Sequence, residues 1–206
     1  MSRLLTFGCS FVHGWGLPDI YPHEKNSSFP EPSKLSWPTL LAKKLKKECV
    51  NFGSPGLGNM AILMKVLSAN YEPDDLVIVS FSYFNRYSAH VFVDEDGNSK
   101  TVNPKQLEHK RLVLDEIFIP KNVNNYWYNW LAIQHCQLFL ASKKISNTSY
   151  YGGVLPKFPI RPNMLHIPNF LDTLRMEVKD WAKDKAHPGV ESHELHADKL
   201  YKVLTE

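Results

Sequence analysis

The stretch RLLTFGCSFVHGWG, residues 3–16, decides how this chain folds. Its apolar run ends at Gly8 and is followed at once by Cys9 and Ser10. A short apolar run suits a strand covered on both faces, and glycine permits the sharp turn that delivers the next residues to a cleft. The pattern predicts a buried strand with Ser10 beyond its carboxyl end. Such a serine is either a reactive group or a helix cap.

Strand-like runs alternate with helical patterns through the first eighty residues. In chain order the segments are LLTFG, WPTLLAKKLKK, CVNFG, MAILMKVLSAN and DLVIVSFS. This alternation is typical of parallel strands joined by helical crossovers. The run LVIVSF is continuous enough for a central strand that is buried on both faces. We predict a three-layer α/β/α sandwich.

The length and composition predict a single globular domain over residues 1–206. The chain has 206 residues, of which 43% are apolar, enough for a sizeable core. The pattern loosens over residues 88–124, which we interpret as an insertion with a hairpin at Asp96-Gly97 and a short helix after it. Beyond it we predict a helix in YWYNWLAIQHCQLFLASKK, an edge strand in ISNTSYYGG, a proline-rich loop and a last helix in HELHADKLYKVL.

The charge and cysteine content exclude several classes of protein. The formal net charge of +3 is too balanced for a nucleic-acid partner. The lysines of LLAKKLKK occupy the polar faces of an amphipathic helix, so we expect a solvated surface there. No apolar run is long enough for a membrane span, and none resembles a signal peptide. The three cysteines are odd in number and far apart, which favours a reducing compartment such as the cytoplasm.

Polar and glycine residues follow each predicted strand at its carboxyl end. Ligands of open α/β sheets bind at that edge, so we expect these residues to converge on one site. They are Ser10 after the first strand, Gly53, Gly56 and Gly58 after the second, Ser82 and Asn85 after the third, and Asp184 with His187 before the last helix.

In this arrangement the sequence resembles the SGNH hydrolases, also called the GDSL esterase and lipase family, over nearly its whole length. FGCSF stands at the first block of the family, VNFGSPG at the second and DKAHP at the fifth. The resemblance implies a flavodoxin-like sandwich with Ser10 as nucleophile and Asp184 and His187 as the other triad members. It also implies that the N–H groups of Ser10 and Gly56 belong to an oxyanion hole. The form GCSF…SWP…VNFGSPGLGN is similar to members encoded by tailed phages.

The proposed roles have a physical basis in the residue types. A serine hydroxyl is a poor nucleophile until an imidazole takes its proton, and a carboxylate on the far ring nitrogen fixes the tautomer. A separation of three residues lets Asp184 reach the Nδ1 of His187. The oxyanion formed on the substrate needs preorganised donors.

Two blocks depart from the pattern of the family. Cys9 stands where the family has aspartate, and its thiol is a rival nucleophile, although neighbouring residues of an extended segment point in opposite directions. The third block of the family reads GxND, whereas a gapless reading of VIVSFSYFN places Phe84 at the asparagine. We choose Asn85 as the third oxyanion donor and Ser82 as the fallback, because an amide N–H donates without a competing rotor.

The resemblance implies a serine ester hydrolase that acts through an acyl-enzyme on a small acyl or acetyl ester, with carbohydrate esters among the candidates. It needs no metal or organic cofactor. The alternative is a catalytically silent binding or structural module, for instance a virion component. In either case the expected location is the host cytoplasm or the virion. His13 lies close to Ser10 and is either a pocket-lining residue or a turn histidine that points to solvent, and we interpret it as the latter. His193 and His196 are interpreted as surface residues, because no cysteine or carboxylate cluster completes a metal site.

Overall fold

The computed structural model describes residues 2–21, 30–82, 125–145, 149–153 and 175–206, and strands and helices alternate along them. The strands are β1 (Arg3–Phe7), β2 (Glu48–Asn51), β3 (Leu76–Phe81) and β4 (Ser149–Gly153). The helices are α1 (Ser10–His13), α2 (Trp37–Leu45), α3 (Asn59–Ser68), α4 (Asn125–Ser142) and α5 (Val190–Thr205).

All strand pairs in the described sheet are parallel, and the strand order is β2-β1-β3-β4. In β1, Leu5 is paired with Val50 on one side and with Val77 on the other, so this strand lies inside the sheet. Because the pairs are parallel, the carboxyl ends of all four strands lie at one edge. That edge is where the candidate residues were expected to meet.

Helices cover both faces of the sheet. Successive side chains of a strand point to opposite faces. Leu4 and Ile78 therefore pack in one core layer with residues of α2 and α5, whereas Leu5 and Val77 pack in the other layer with residues of α3 and α4. The predicted three-layer sandwich is confirmed, as are the helices α4 and α5, and β4 lies at an edge of the described sheet.

The predicted lysine surface is present on α2 and the turn after it. Lys43, Lys44 and Lys46 are exposed, and the Nζ of Lys44 lies 2.7 Å from a carboxylate oxygen of Asp198 on α5. None of the described helices is long and apolar enough to cross a membrane. The predicted insertion at 88–124, its hairpin and helix, and most of the proline-rich loop lie outside the described residues.

The prediction that three histidines lie on the surface is wrong. His13, His193 and His196 are 2%, 1% and 2% exposed. His193 and His196 share the buried face of α5 with Ala197 and Leu200, a spacing typical of the core side of a helix. Burial stabilises the neutral imidazole and lowers the pKa of both His193 and His196 to about 3.

Candidate active site

The turn between β1 and α1 presents Ser10 at the carboxyl edge of the sheet. There is no room for a side chain on Gly8, since an added Cβ would lie 2.8 Å from the carbonyl oxygen of Ser80 and still closer to Val12. Cys9 is the N-cap of α1, and Ser10 is the first helical residue. The hydroxyl of Ser10 is buried and has no hydrogen-bond partner among the described residues. A buried hydroxyl without a hydrogen-bond partner lowers the stability of the fold, so such a group calls for an explanation, for example a role in catalysis.

Cys9 is fully buried, and its backbone carbonyl accepts the N–H groups of Val12 and His13 at 3.0 and 3.1 Å. Its role in the described structure is thus to begin α1. The sequence leaves two roles open for Ser10, reactive group or helix cap. Because Cys9 occupies the N-cap position, Ser10 is not the cap of α1.

Asp184 and His187 form the pair that the sequence predicted. The Nδ1 of His187 lies 2.6 Å from the Oδ2 of Asp184. The other carboxylate oxygen, Oδ1, accepts the backbone N–H of His187 at 3.1 Å and that of Ala186 at 3.0 Å. A carboxylate on Nδ1 leaves the Nε2 as the ring atom that can take a proton from a nucleophile.

The charge of Asp184 is stabilised where it lies. Burial acts to raise the pKa of this carboxyl, but the N–H of Ala186 and the ring of His187 outweigh burial, and the pKa is lowered. Asp184 is therefore ionised at neutral pH and can stabilise an imidazolium on His187.

The loop with this pair lies directly on the α1 region. The N–H of Lys183 donates to the carbonyl oxygen of Gly16 at 3.1 Å. Gly16 has φ +86°, and a Cβ added there would lie 2.6 Å from the Oδ2 of Asp184, so only glycine fits beneath the carboxylate. The ring of His187 lies edge-on to that of Phe11, the neighbour of Ser10, with centroids 5.9 Å apart. Among the described atoms, however, no hydrogen bond joins His187 to the hydroxyl of Ser10.

The glycine-containing loop after β2 packs on the other side of α1. The side chain of Asn51 donates to the carbonyl oxygen of Val12 at 2.9 Å and accepts the N–H of Gly53 at 2.8 Å. An added Cβ on Gly53 would lie 2.5 Å from the backbone nitrogen of His13, so the two segments are in close contact.

Gly56 differs from Gly53, because a Cβ added to it would meet nothing within 4 Å. Its φ of +77° is the reason that the position favours glycine. No hydrogen bond from the N–H of Gly56 or of Ser10 is present in the described structure. Both donors that the resemblance implies are thus available.

The segment after β3 is only partly described. The buried side chain of Asn59 accepts the N–H of Ser82 at 2.7 Å and donates to its carbonyl oxygen at 3.2 Å and to the Oδ1 of Asn129 at 2.8 Å. These bonds fix the end of β3. Asn85 and Phe84 lie outside the described residues, so the predicted third donor stays a prediction.

Two polar contacts that hold the site in place are absent from the sequence-based predictions. The Nδ1 of His193 accepts the backbone N–H of Trp37 at 3.0 Å, which links α5 to α2. Asp180, seven residues before His187, accepts backbone N–H groups at the start of α5. The spacing of His193, His196 and Leu200 indicates the buried face of α5, but no local pattern marks either contact. In the described ranges, no group of three or more His, Cys, Asp or Glu side chains could hold a metal ion.

No family model and no curated protein sequence matches this chain. Among solved structures it is similar to an acetyl xylan esterase from the rumen bacterium Butyrivibrio proteoclasticus, with a TM-score of 0.56 and 15% identity over 98% of this chain. This chain spans 63% of the length of that protein.

Two further structures match this chain over nearly their whole length. A carbohydrate acetylesterase family member from Sinorhizobium meliloti has a TM-score of 0.50 and 15% identity, and the match covers 99% of this chain and 97% of the other. A member of the lipolytic protein G-D-S-L family from Veillonella parvula has a TM-score of 0.50 and 10% identity over all of both chains. At these identities the likeness concerns the fold, and this chain has the α/β fold of GDSL hydrolases and carbohydrate esterases.

Proposed function

We propose that the chain is a serine ester hydrolase that acts through an acyl-enzyme. The observation that carries the proposal is the 2.6 Å contact between Asp184 and His187 on a loop that packs against α1, the helix that begins with Ser10. These residue types match the roles of acid, base and nucleophile in acyl transfer. Their place at the carboxyl edge of a parallel sheet is where ligands of such folds bind.

The first half of the reaction acylates Ser10. Its Oγ attacks the carbonyl carbon of the ester while the Nε2 of His187 takes the hydroxyl proton. The resulting imidazolium is stabilised by Asp184, and the tetrahedral intermediate collapses when His187 gives the proton to the departing alcohol. In the second half, water attacks the acyl-serine with His187 again as the base, and the acid leaves.

The oxyanion is stabilised by the N–H groups of Ser10 and Gly56, which have no other acceptor in the described structure. Asn85 supplies the third donor. One such donor is worth on the order of a hundredfold in rate, so the hole is a substantial part of the catalysis.

The proposed substrate is a small acyl or acetyl ester, and carbohydrate esters are the class that we favour. The support is the shared fold with an acetyl xylan esterase and with a carbohydrate acetylesterase family member. The reaction as written uses only this chain's own residues and water, with no metal or organic cofactor.

Hydrolysis of p-nitrophenyl acetate by the purified protein tests the proposal. We expect turnover that Ser10→Ala removes and that Cys9→Ser retains. Equal rates for the wild type and Ser10→Ala would overturn the proposal. Loss in Cys9→Ser with retention in Ser10→Ala would instead assign the nucleophile to the thiol, so each variant serves as the control of the other.

The second candidate function is a binding module that has lost turnover. One observation favours it: the hydroxyl of Ser10 is not hydrogen-bonded to His187 or to any other described group. An uncomplexed hydrolase also shows loose hydrogen bonds at its site, which tighten only when substrate binds. A wild type that is folded, inert toward p-nitrophenyl acetate and able to bind an acetylated oligosaccharide would identify the binding module.

The origin and location of the chain stay predictions from the sequence. They are a viral or bacterial origin, from the similarity to phage-encoded members, and a cytoplasmic location, which would be the host cytoplasm or the virion if the chain is phage-encoded, without a nucleic-acid or membrane partner.

A further inference from the structure

We infer that Asp180 is a positioning residue for His187. The inference rests on the proposed function, because positioning matters only if His187 acts as the base. Asp180 does not contact the ring of His187 in the described structure. It acts through the backbone that joins His187 to α5.

The carboxylate of Asp180 caps α5 from outside the helix. Its Oδ1 accepts the N–H of Ser192 at 2.8 Å, and its Oδ2 accepts that of Glu191 at 3.2 Å. The hydroxyl of Ser192 also donates to Oδ1 at 2.6 Å. The first N–H groups of a helix have no partner within it, and negative charge is favoured at that end. The N-cap residue itself is Gly189, which has no side chain to perform this task.

The same segment holds the backbone of His187. The carbonyl oxygen of His187 accepts the N–H of Ala182 at 2.8 Å, and the N–H of Gly189 donates to the carbonyl oxygen of Asp180 at 2.9 Å. These two bonds flank an antiparallel pair between Trp181 and Pro188. His187 thus makes the first of these contacts itself, and the second, two residues later at Gly189, is made with the backbone carbonyl of Asp180.

The fit around the carboxylate of Asp180 is close. A Cβ added to Gly189 would collide with both of its oxygens. Burial acts to raise the pKa of Asp180, but the hydrogen bonds from Ser192 and Glu191 outweigh it and lower the pKa, so the group is charged at neutral pH. A neutral side chain of the same shape would lose the charge-assisted bonds and place an N–H₂ group against backbone donors.

The contacts of Asp184 explain why the loop needs this anchor. Its Oδ1 accepts only N–H groups of its own loop, at Ala186 and His187. Those bonds keep the pair together but do not set its position on the protein. Asp180 ties the loop to α5, and α5 in turn is tied to α2 through His193 and Trp37. This path connects the base to the helices that cover the sheet, in addition to the bond from Lys183 to Gly16.

The test compares Asp180→Asn and Ser192→Ala with the control Glu177→Gln. Glu177 lies in the same segment, but it is half-exposed and pairs with the side chains of Lys179 and Lys199 rather than with the first N–H groups of α5. The readouts are kcat and KM for p-nitrophenyl acetate and the downfield proton resonance of the Nδ1–H of His187, which is identified by its loss in His187→Gln.

For Asp180→Asn we expect kcat to fall about 10- to 100-fold with KM changed less than about twofold, because a misplaced base slows the chemistry more than it weakens binding. The resonance should broaden or disappear although the far-UV circular dichroism stays native. Glu177→Gln should match the wild type in both readouts. If Asp180→Asn does not fold, Ser192→Ala, which removes one hydroxyl only, should show the same changes to a smaller degree.

The inference would be overturned by a folded Asp180→Asn that has the wild-type kcat and an unchanged resonance. If Asp180→Asn does not fold, the same result in Ser192→Ala would overturn it. The resonance separates this outcome from a failure of the proposed function. A wild type without esterase activity would refute the hydrolase, whereas the resonance would still report whether Asp180 holds His187 against Asp184.

Discussion

Asp184 contacts His187 through both carboxylate oxygens, with its Oδ2 2.6 Å from the ring nitrogen Nδ1 and its Oδ1 3.1 Å from the backbone nitrogen. One carboxylate therefore sets both the backbone and the ring of the proposed base. The separation of three residues, followed by Pro188, lets the chain fold back on itself in this way. The arrangement is compact, so a change to either oxygen disturbs both contacts.

Replacement of Asp184 by Asn should lower kcat for p-nitrophenyl acetate by on the order of a hundredfold or more, because an amide N–H₂ favours the wrong imidazole tautomer. The matched control is Asp198→Asn, which removes an exposed carboxylate of α5 that pairs with Lys44. An Asp184→Asn variant that is folded and retains more than half of the wild-type kcat would remove Asp184 from the triad.

Alanine substitutions at Gly16 and Gly56 distinguish the cost of a strained backbone from the cost of a steric clash with Asp184. Both have left-handed φ values, +86° and +77°. An alanine at either position costs about 1–2 kcal/mol in backbone strain. Only at Gly16 would the new methyl also strike Asp184. Gly16→Ala should therefore lower the free energy of unfolding, measured with urea, by more than Gly56→Ala does. Equal losses would show that the carboxylate of Asp184 moves aside freely.

The buried histidines of α5 should make the protein sensitive to acid. His193 and His196 have pKa values of about 3 in the folded chain, against about 6.5 for histidine in an unfolded chain. Between these pH values the unfolded chain binds more protons, so stability falls as the pH is lowered. Each histidine contributes up to about 1.4 kcal/mol per pH unit to the slope of the free energy of unfolding against pH.

Urea unfolding at pH values between 8 and 4 measures this slope. His193→Asn keeps an acceptor for the N–H of Trp37, and His196→Phe keeps a ring against Trp37, so the double variant should have a flatter profile. His135→Gln, at an exposed position of α4, is the control for the removal of a histidine. A double variant that loses stability at low pH as steeply as the wild type would show that His193 and His196 do not cause the acid sensitivity.

Asn59 should be among the most sensitive polar residues of the fold. Asn59→Ala would leave the N–H and the carbonyl of Ser82 and the Oδ1 of Asn129 without the amide that now binds them. Unsatisfied buried groups cost about 1–3 kcal/mol each, and we expect a loss of roughly 2–4 kcal/mol in total. Asn70→Ala, at an exposed position, is the control and should cost little. A loss below about 1 kcal/mol for Asn59→Ala would mean that water replaces the amide.

The sheet could be predicted from the sequence because its two central strands, β1 and β3, are buried on both faces. Runs such as LVIVSF are continuous and are bounded by glycine or polar residues, which gives each strand a clear beginning and end. The pair of Asp184 and His187 could be predicted for a similar reason. Its two members are three residues apart, so the contact depends on local geometry alone.

The contacts between distant segments could not be predicted in this way. Asp180 and Ser192 are twelve residues apart, and His193 and Trp37 are 156 apart, so no local pattern connects them. The surface prediction for the histidines of α5 is wrong because a histidine that binds no metal can still lie in the core. Their spacing with Leu200 is that of a buried helix face.

The most direct test of the central claim is labelling of the folded protein with a fluorophosphonate probe, with the modified residue identified by mass spectrometry. The probe bonds only to a hydroxyl that an adjacent base has activated. The account predicts one adduct, on Ser10, that is absent from Ser10→Ala and strongly reduced in His187→Gln. A folded wild type that stays unlabelled, or labelling that persists in Ser10→Ala, would contradict it.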